Sequence, residues 1–154
     1  MCSIERDDSS PYTRTQMRSL TFHMLYALDT YNYENSVAYV IDNINRGYEQ
    51  DIPMDGEIAQ TVESIVERRD YLDEIIQKFL ENWRLSRLGL CTRLILRMGV
   101  WELVFTDAPS SVIINESIEL AKDFAEKDAY KFINGILDQV AEKREDLKRE
   151  RSTF

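Results

Sequence analysis

Apolar residues recur at intervals of three and four along most of the chain, the spacing that places them on one face of an α-helix. Met17, Leu20, Met24 and Leu28, reinforced by Phe22 and Leu25, predict an amphipathic helix over about residues 13–30. Val37, Val40, Ile41 and Ile44 predict a second over about 35–47, its end marked by Gly47 and then by Pro53. Ile58, Val62, Ile65, Leu72, Ile76 and Phe79 hold one stripe over about 55–82, as one helix or two, with Asp55 placed to cap it. Leu94, Met98, Trp101 and Phe105 mark one face of a helix over about 86–105 that stops at Asp107 and Pro109. Ser110 and Ser111 then stand where a cap is needed, ahead of Ile114, Ile118, Ala121 and Ala125. The last stripe, Phe132, Ile136 and Val140, begins near 128, and the charged end EKREDLKRERSTF is expected to fray into solvent. Asn134-Gly135 would signal a hairpin between alternating flanks, but the helical period runs through it. Gly135 therefore reads as a close helix contact, accepting about 1 kcal/mol of propensity loss relative to Ala. Residues 1–12 mix charge, Ser and Pro without periodicity and read as a disordered tail, followed by a helical domain over 13–144 and a charged tail over 145–154.

Composition agrees with this pattern and narrows the chemistry. The 154 residues, 44% of them hydrophobic, suit one domain with a real core, and five Gly with three Pro are too few for a fold rich in tight turns. The expected class is all-α. A net charge of −9, from 19 Lys+Arg and 28 Asp+Glu, speaks against a general duplex binder, which carries a positive excess to neutralise phosphates. Cutting at 50 and 100 gives −3, −2 and −4, so the acidity reads as spread along the chain. With no run of 18 apolar residues and no apolar signal-peptide core in MCSIERDDSSPY, the chain is expected in the cytoplasm and away from membranes. Cys2 and Cys91 are far apart and one His is present, so no metal set is expected; Cys91 reads as a buried small hydrophobe and Cys2 as part of a loose tail.

Catalytic constellations are missing. There is no Gly-rich phosphate loop, no His-Glu-x-x-His and no Gly-x-Ser-x-Gly, so neither an enzyme nor a cofactor is expected. His23, between Phe22 and Met24, reads as a partly buried structural residue, and Glu116 and Glu119 as a solvated face near Lys122. One window departs from the acidic trend: residues 82–101 hold Arg84, Arg87, Arg93 and Arg97 and no acid. Arg93 and Arg97, four apart, can pair with acids such as Glu102 or Glu116, whereas Arg84 and Arg87 beside Trp83 are expected to be accessible. A second surface joins Arg14 and Arg18 to Tyr26 on the first helix, offering phosphate contacts and a stacking face; the alternative is a solvated face with a packed ring.

Three ordered segments carry a family resemblance: RTQMRSLTFHMLY at 14–26, WRLSRLGLCTRLILRMGVWEL at 83–103, and VIINESIELAKDFAEKDAYKFINGILD at 112–138. Over about residues 14–140 the chain resembles the NusB family of bacterial transcription antitermination factors. The resemblance implies an all-α fold of about seven helices in two sub-bundles. It also implies binding of single-stranded boxA-type RNA together with a small-subunit ribosomal protein, the pair holding RNA against elongating RNA polymerase so that ribosomal RNA transcription passes terminators. No covalent step is implied; the mechanism is recognition plus tethering.

Residue by residue, the resemblance gives Arg14 and Arg18 to RNA phosphates and Tyr26 to the RNA side. It gives Asp128, Lys131 and Phe132 to a second RNA-contacting region, where Phe132 stacks on a base or else packs in the core and Asp128 accepts from a base edge. The ribosomal-protein surface would take Arg84, Arg87, Thr92 and Arg93. Two departures stand out. Thr15, Gln16 and Ser19 dilute the run of Arg common in the family's first helix, and Thr92 stands where an acid is common. Each lost phosphate contact removes about one unit of salt dependence. The net charge then predicts weak RNA binding alone, strengthened when a basic ribosomal protein joins. An acidic protein-interaction module with the same fold and little RNA affinity is the alternative. An RNA-modifying role would need an attached methyltransferase domain, for which this length leaves no room. A homodimer formed through the partner surface is compatible with the family, and the residues do not set the oligomeric state.

Overall fold

The computed structural model describes residues 11–151, whose regular structure is helical throughout. In order these are α1 (Arg14–Thr30), α2 (Val37–Tyr48), α3 (Glu57–Glu67), α4 (Arg69–Lys78), a 3-10 turn (Leu85–Arg87), α5 (Leu90–Phe105), α6 (Ser110–Phe124), α7 (Ala129–Glu142) and α8 (Arg144–Glu150). The all-α class is as the periodicity predicts. The stripe over 55–82 is two helices, broken at Arg68, and the chain divides into two compact units at the same place.

The unit ending at Glu67 packs α1, α2 and α3 together. Its core holds Phe22, Met24, Leu25, Leu28, Ile41, Val62 and Ile65, each worth about 1.5–3 kcal/mol when withdrawn from water. Thr13 starts α1 with a reciprocal capping box: its hydroxyl accepts from the Gln16 amide at 3.1 Å and the Gln16 side chain accepts from the Thr13 amide at 2.9 Å. Ser36 caps α2 by accepting from the Tyr39 amide. Gly47 lies inside α2, and the left-handed cap falls on Glu49 at φ 52. A side-chain clip explains the later stop: Asn45 donates to the Ile52 carbonyl at 3.0 Å and accepts from its amide at 2.8 Å, drawing the loop back after the last turn. Gly56, whose carbonyl accepts from the Gln60 amide, holds the position before α3, one residue later than Asp55. Tyr12, assigned above to a tail that does not pack, donates to Gln50 at 2.8 Å and accepts from the Asp51 amide. Cys2, Asp7, Asp8 and the rest of residues 1–10 lie outside the described residues.

The unit from Arg68 surrounds α5 with α4, α6, α7 and α8. Burial runs without a break from Leu94 to Trp101, so α5 is enclosed on all sides instead of presenting one stripe, as befits a central helix. Ser110 and Ser111 fall within α6, and Pro109 holds the cap position with no side-chain capping bond. Ser110 has other work, as do the carbonyls ending α5. Arg144 donates to the Leu103 carbonyl at 2.7 Å, the Thr106 carbonyl at 2.8 Å and the Ser110 hydroxyl at 2.9 Å. With Leu147 buried, the described part of the segment expected to fray holds the docked helix α8.

Lys148 adds an ion pair to exposed Asp107 at 2.8 Å. Its hydrogen bond and then its charge hold the Asp107 carboxyl below the usual 3.8. A carboxyl lowered on folding contributes fully above its unfolded pKa and loses that contribution as pH falls through the folded value. An NMR titration should therefore place Asp107 below 3.8, and Lys148→Met should bring it back up.

Candidate nucleic-acid interface

The first candidate surface lies on α1. Arg14 is exposed and paired with Glu57 of α3, Arg18 is half-buried, and Tyr26 is 44% exposed beside the Phe22 ring. The helix therefore presents a ring beside the exposed Arg14 and the half-buried Arg18. His23 lies on the exposed side of α1 with its ring edge-on to Phe22 at 5.6 Å, and the partial burial of the imidazole lowers its pKa.

The second surface follows α6. Asp128, in the left-handed region at φ 67, precedes α7, and its carboxylate lies 3.9 Å from Lys131. Phe132 is half-exposed, between the stacking and packing roles foreseen for it. A residue that the sequence reading passed over stands between them: the Tyr130 ring has the Lys122 ammonium 5.1 Å and the Lys131 ammonium 5.9 Å from its centroid. Tyr130 next to Lys131 was a readable signal; Lys122, from the preceding helix, was not. Lys122 also lies 3.8 Å from Glu119, the exposed pairing expected there.

The α5 entrance is divided. Arg84 and Arg87 are exposed, as is Trp83 at 60%. Thr92 is buried and donates to Glu126 at 3.0 Å, so it does not face a partner. The carboxylate missing at position 92 is present at this entrance all the same, brought by the turn after α6. Arg97 is buried and pairs with an acid of a neighbouring helix, Asp73 of α4, through bonds of 2.6 and 2.9 Å. Arg93 is half-buried with its Nε enclosed and without a hydrogen-bond partner, and it lines an open groove with Arg84, Asp70 and Glu74. Cys91 is half-exposed; burial, and then the Glu126 carboxylate, push its thiol up.

Among the described residues no group of His, Cys, Asp and Glu is arranged to hold a metal ion, and no helix is long and apolar enough to cross a membrane. Against known proteins, the model of the NusB family matches residues 15–142. The chain belongs to the NusB family. This is a family of non-enzymatic transcription antitermination factors. The "Transcription antitermination protein NusB" of Staphylococcus carnosus is 39% identical over 128 residues, covering 83% of this chain and 98% of the relative. The T. maritima NusB structure superposes with a TM-score of 0.75 at 29% identity, covering 87% of this chain and 94% of that one. A chain in a structure described as "Crystal Structure of a Plectonemic RNA Supercoil" gives 0.72 at 28% identity, covering 84% and 96%.

The unit boundary also revises the charge reading. Residues 1–67 hold four Lys+Arg and 12 Asp+Glu, a net −8, whereas residues 68–154 hold 15 and 16, a net −1. Equal thirds hid this because the middle third straddles the boundary. The unit carrying Tyr130, Lys131 and Phe132 is thus nearly neutral, and the acidity belongs to the part that carries α1.

Proposed function

We propose that the chain is a transcription antitermination factor that binds single-stranded boxA-type RNA together with a small-subunit ribosomal protein, supporting ribosomal RNA transcription. The observation that carries the RNA reading is the Lys122–Tyr130–Lys131 cluster beside half-exposed Phe132. Rings flanked by cations suit unstacked bases on a single-stranded backbone, where stacking supplies about 1–3 kcal/mol per base. On α1, Arg14, Arg18 and Tyr26 offer the same chemistry, with Glu57 competing for Arg14. Asp128 accepts from a base edge and Lys131 meets phosphate. Arg84, Arg87 and Arg93 form the protein-partner surface at the α5 entrance, and the pair reaches RNA polymerase through the ribosomal protein. Work is done by tethering: linked sites raise the effective concentration of RNA near its partners.

The net −8 of residues 1–67 favours a second reading, an acidic module that binds a basic protein and little RNA. Titrating a boxA-like RNA oligomer with and without the ribosomal protein separates the two. Weak binding alone and tighter binding in the ternary mixture is expected; tight protein association without RNA leaves the second reading. Arg18→Ala should weaken RNA binding about fivefold and reduce the salt slope by about one, with thermal stability unchanged. A large drop in stability would assign Arg18 to the fold.

A further inference from the structure

Helix α5 begins at Gly89, which has no side chain to cap it. The negative charge that favours a helix start comes instead from Glu126, in the turn between α6 and α7. Thr92 donates to Glu126 Oε2 at 3.0 Å, and Glu126 Oε1 sits 1.7 Å from where a Cβ on Gly89 would stand. Gly89 leaves the carboxylate its seat and Thr92, buried behind it, holds it there.

What Glu126 fixes in place is the start of α7. Glu126, Lys127 and Asp128 are all exposed, so no buried side chain among them anchors the bend. The bend also passes through the left-handed conformation of Asp128 before its backbone closes with Ala129 donating to the Glu126 carbonyl and Lys131 to the Asp128 carbonyl. Tyr130, Lys131 and Phe132 follow within one turn of helix.

We propose that Glu126 is a positioning residue for RNA binding: held by Thr92 over Gly89, it sets the α6–α7 turn so that Tyr130, Lys131 and Phe132 face the RNA together. This rests on the RNA-binding reading above. Charge alone gives the opposite sign, because an exposed carboxylate near phosphates repels them and its removal should tighten binding.

The test is titration of the full chain with the boxA-like oligomer, with and without the ribosomal protein. Glu126→Ala and Thr92→Val should each weaken RNA binding about tenfold, and the double variant should be no worse than either, since both remove one contact. Glu126→Gln should stay within about twofold of the parent, because its amide oxygen still accepts from Thr92. Gly89→Ala, which keeps the charge but fills its seat, should weaken binding like Glu126→Ala. Tighter binding by both Glu126 variants, or no effect of Thr92→Val, overturns the proposal. Amide hydrogen exchange over 127–132 gives a readout that does not need RNA. It should speed up in Glu126→Ala and Thr92→Val while α5 stays protected, and unchanged exchange overturns the positioning role. A parent chain that binds no RNA in either mixture defeats the RNA reading and with it this role, even if the turn loosens as expected.

Discussion

Asp73→Ala should destabilise the protein by about 2–3 kcal/mol, one of the two largest losses expected from a single substitution outside the aliphatic core. Arg97 is 7% exposed within the central helix, and Asp73 accepts from two of its nitrogens at 2.6 and 2.9 Å. Removing the carboxylate takes from a buried guanidinium a bidentate partner that offsets its lost hydration, and breaking a buried pair in this way typically costs about 3–5 kcal/mol. The Asp73 side chain keeps 28% exposure, so water reaching the vacated space lowers that figure. The reverse substitution differs in size. Arg97→Met fills similar volume with apolar atoms and leaves a carboxylate that solvent reaches, so its cost should be about 1 kcal/mol or less. Urea unfolding of the two variants reads this asymmetry directly. Equal losses, or no loss for Asp73→Ala, would show that the pair is solvated and contributes little.

The Arg97 pair also shows where sequence reading stops. Spacing of four on a helix made Arg93 and Arg97 look alike, yet one is buried in a bidentate pair and the other lines a groove with its Nε unpartnered. Helical period reports that a residue faces inward, not which element it faces, and Asp73 lies 24 residues away on α4. The stripes of α1 and α2 were legible because both are half-buried helices whose polar faces remain in water. Enclosed α5 was harder: a helix buried all round shows no contrast between faces, and the stripe Leu94, Met98, Trp101, Phe105 named only part of its buried surface. The break at Arg68 carries no Gly or Pro to announce it. The residues after 143 looked like a tail because their charge outweighs one Leu, but Arg144 and Lys148 use that charge to bind carbonyls and Asp107.

The candidate site divides along the same line. Arg14, Arg18 and Tyr26 lie on one helix, so their sharing of a surface could be read from spacing. Thr92 could not be placed that way, because its burial and its bond to Glu126 join positions 34 residues apart. Charge behaves similarly: −9 is a sum over the chain, and only the boundary at 67–68 shows that almost all of it falls on one side. For an RNA binder this matters more than the total, since at physiological salt charges farther than about 8–10 Å are largely screened and phosphates respond to the charge near them.

Gly99→Val should cost about 2–3 kcal/mol, and Gly135→Ala should stabilise by about 0.5–1 kcal/mol. The sequence reading gave the close helix contact to Gly135; the structure gives it to Gly99. A Cβ on Gly99 would stand 2.9 Å from both terminal methyls of Leu137 and 3.2 Å from the Ser117 hydroxyl, in the middle of the packing of α5 against α6 and α7. Leu137 and Ser117 are themselves buried and have little room to retreat. Overpacking of this kind typically costs about 1–3 kcal/mol, and the two further methyls of valine place it at the upper end, only partly offset by a few tenths gained in helix propensity over glycine. Gly99→Ala meets the same methyls with one carbon and gains close to 1 kcal/mol of propensity, so it should stay within about 1 kcal/mol of the parent. Gly135 is exposed with nothing within 4 Å of its Cβ position, so alanine there gains the propensity without a clash. Thermal or urea unfolding of the three variants should rank Gly135→Ala above the parent and Gly99→Val well below it. If Gly99→Val unfolds like the parent, α7 can shift away from α5 freely, and the interior around Leu137 is looser than its contacts indicate.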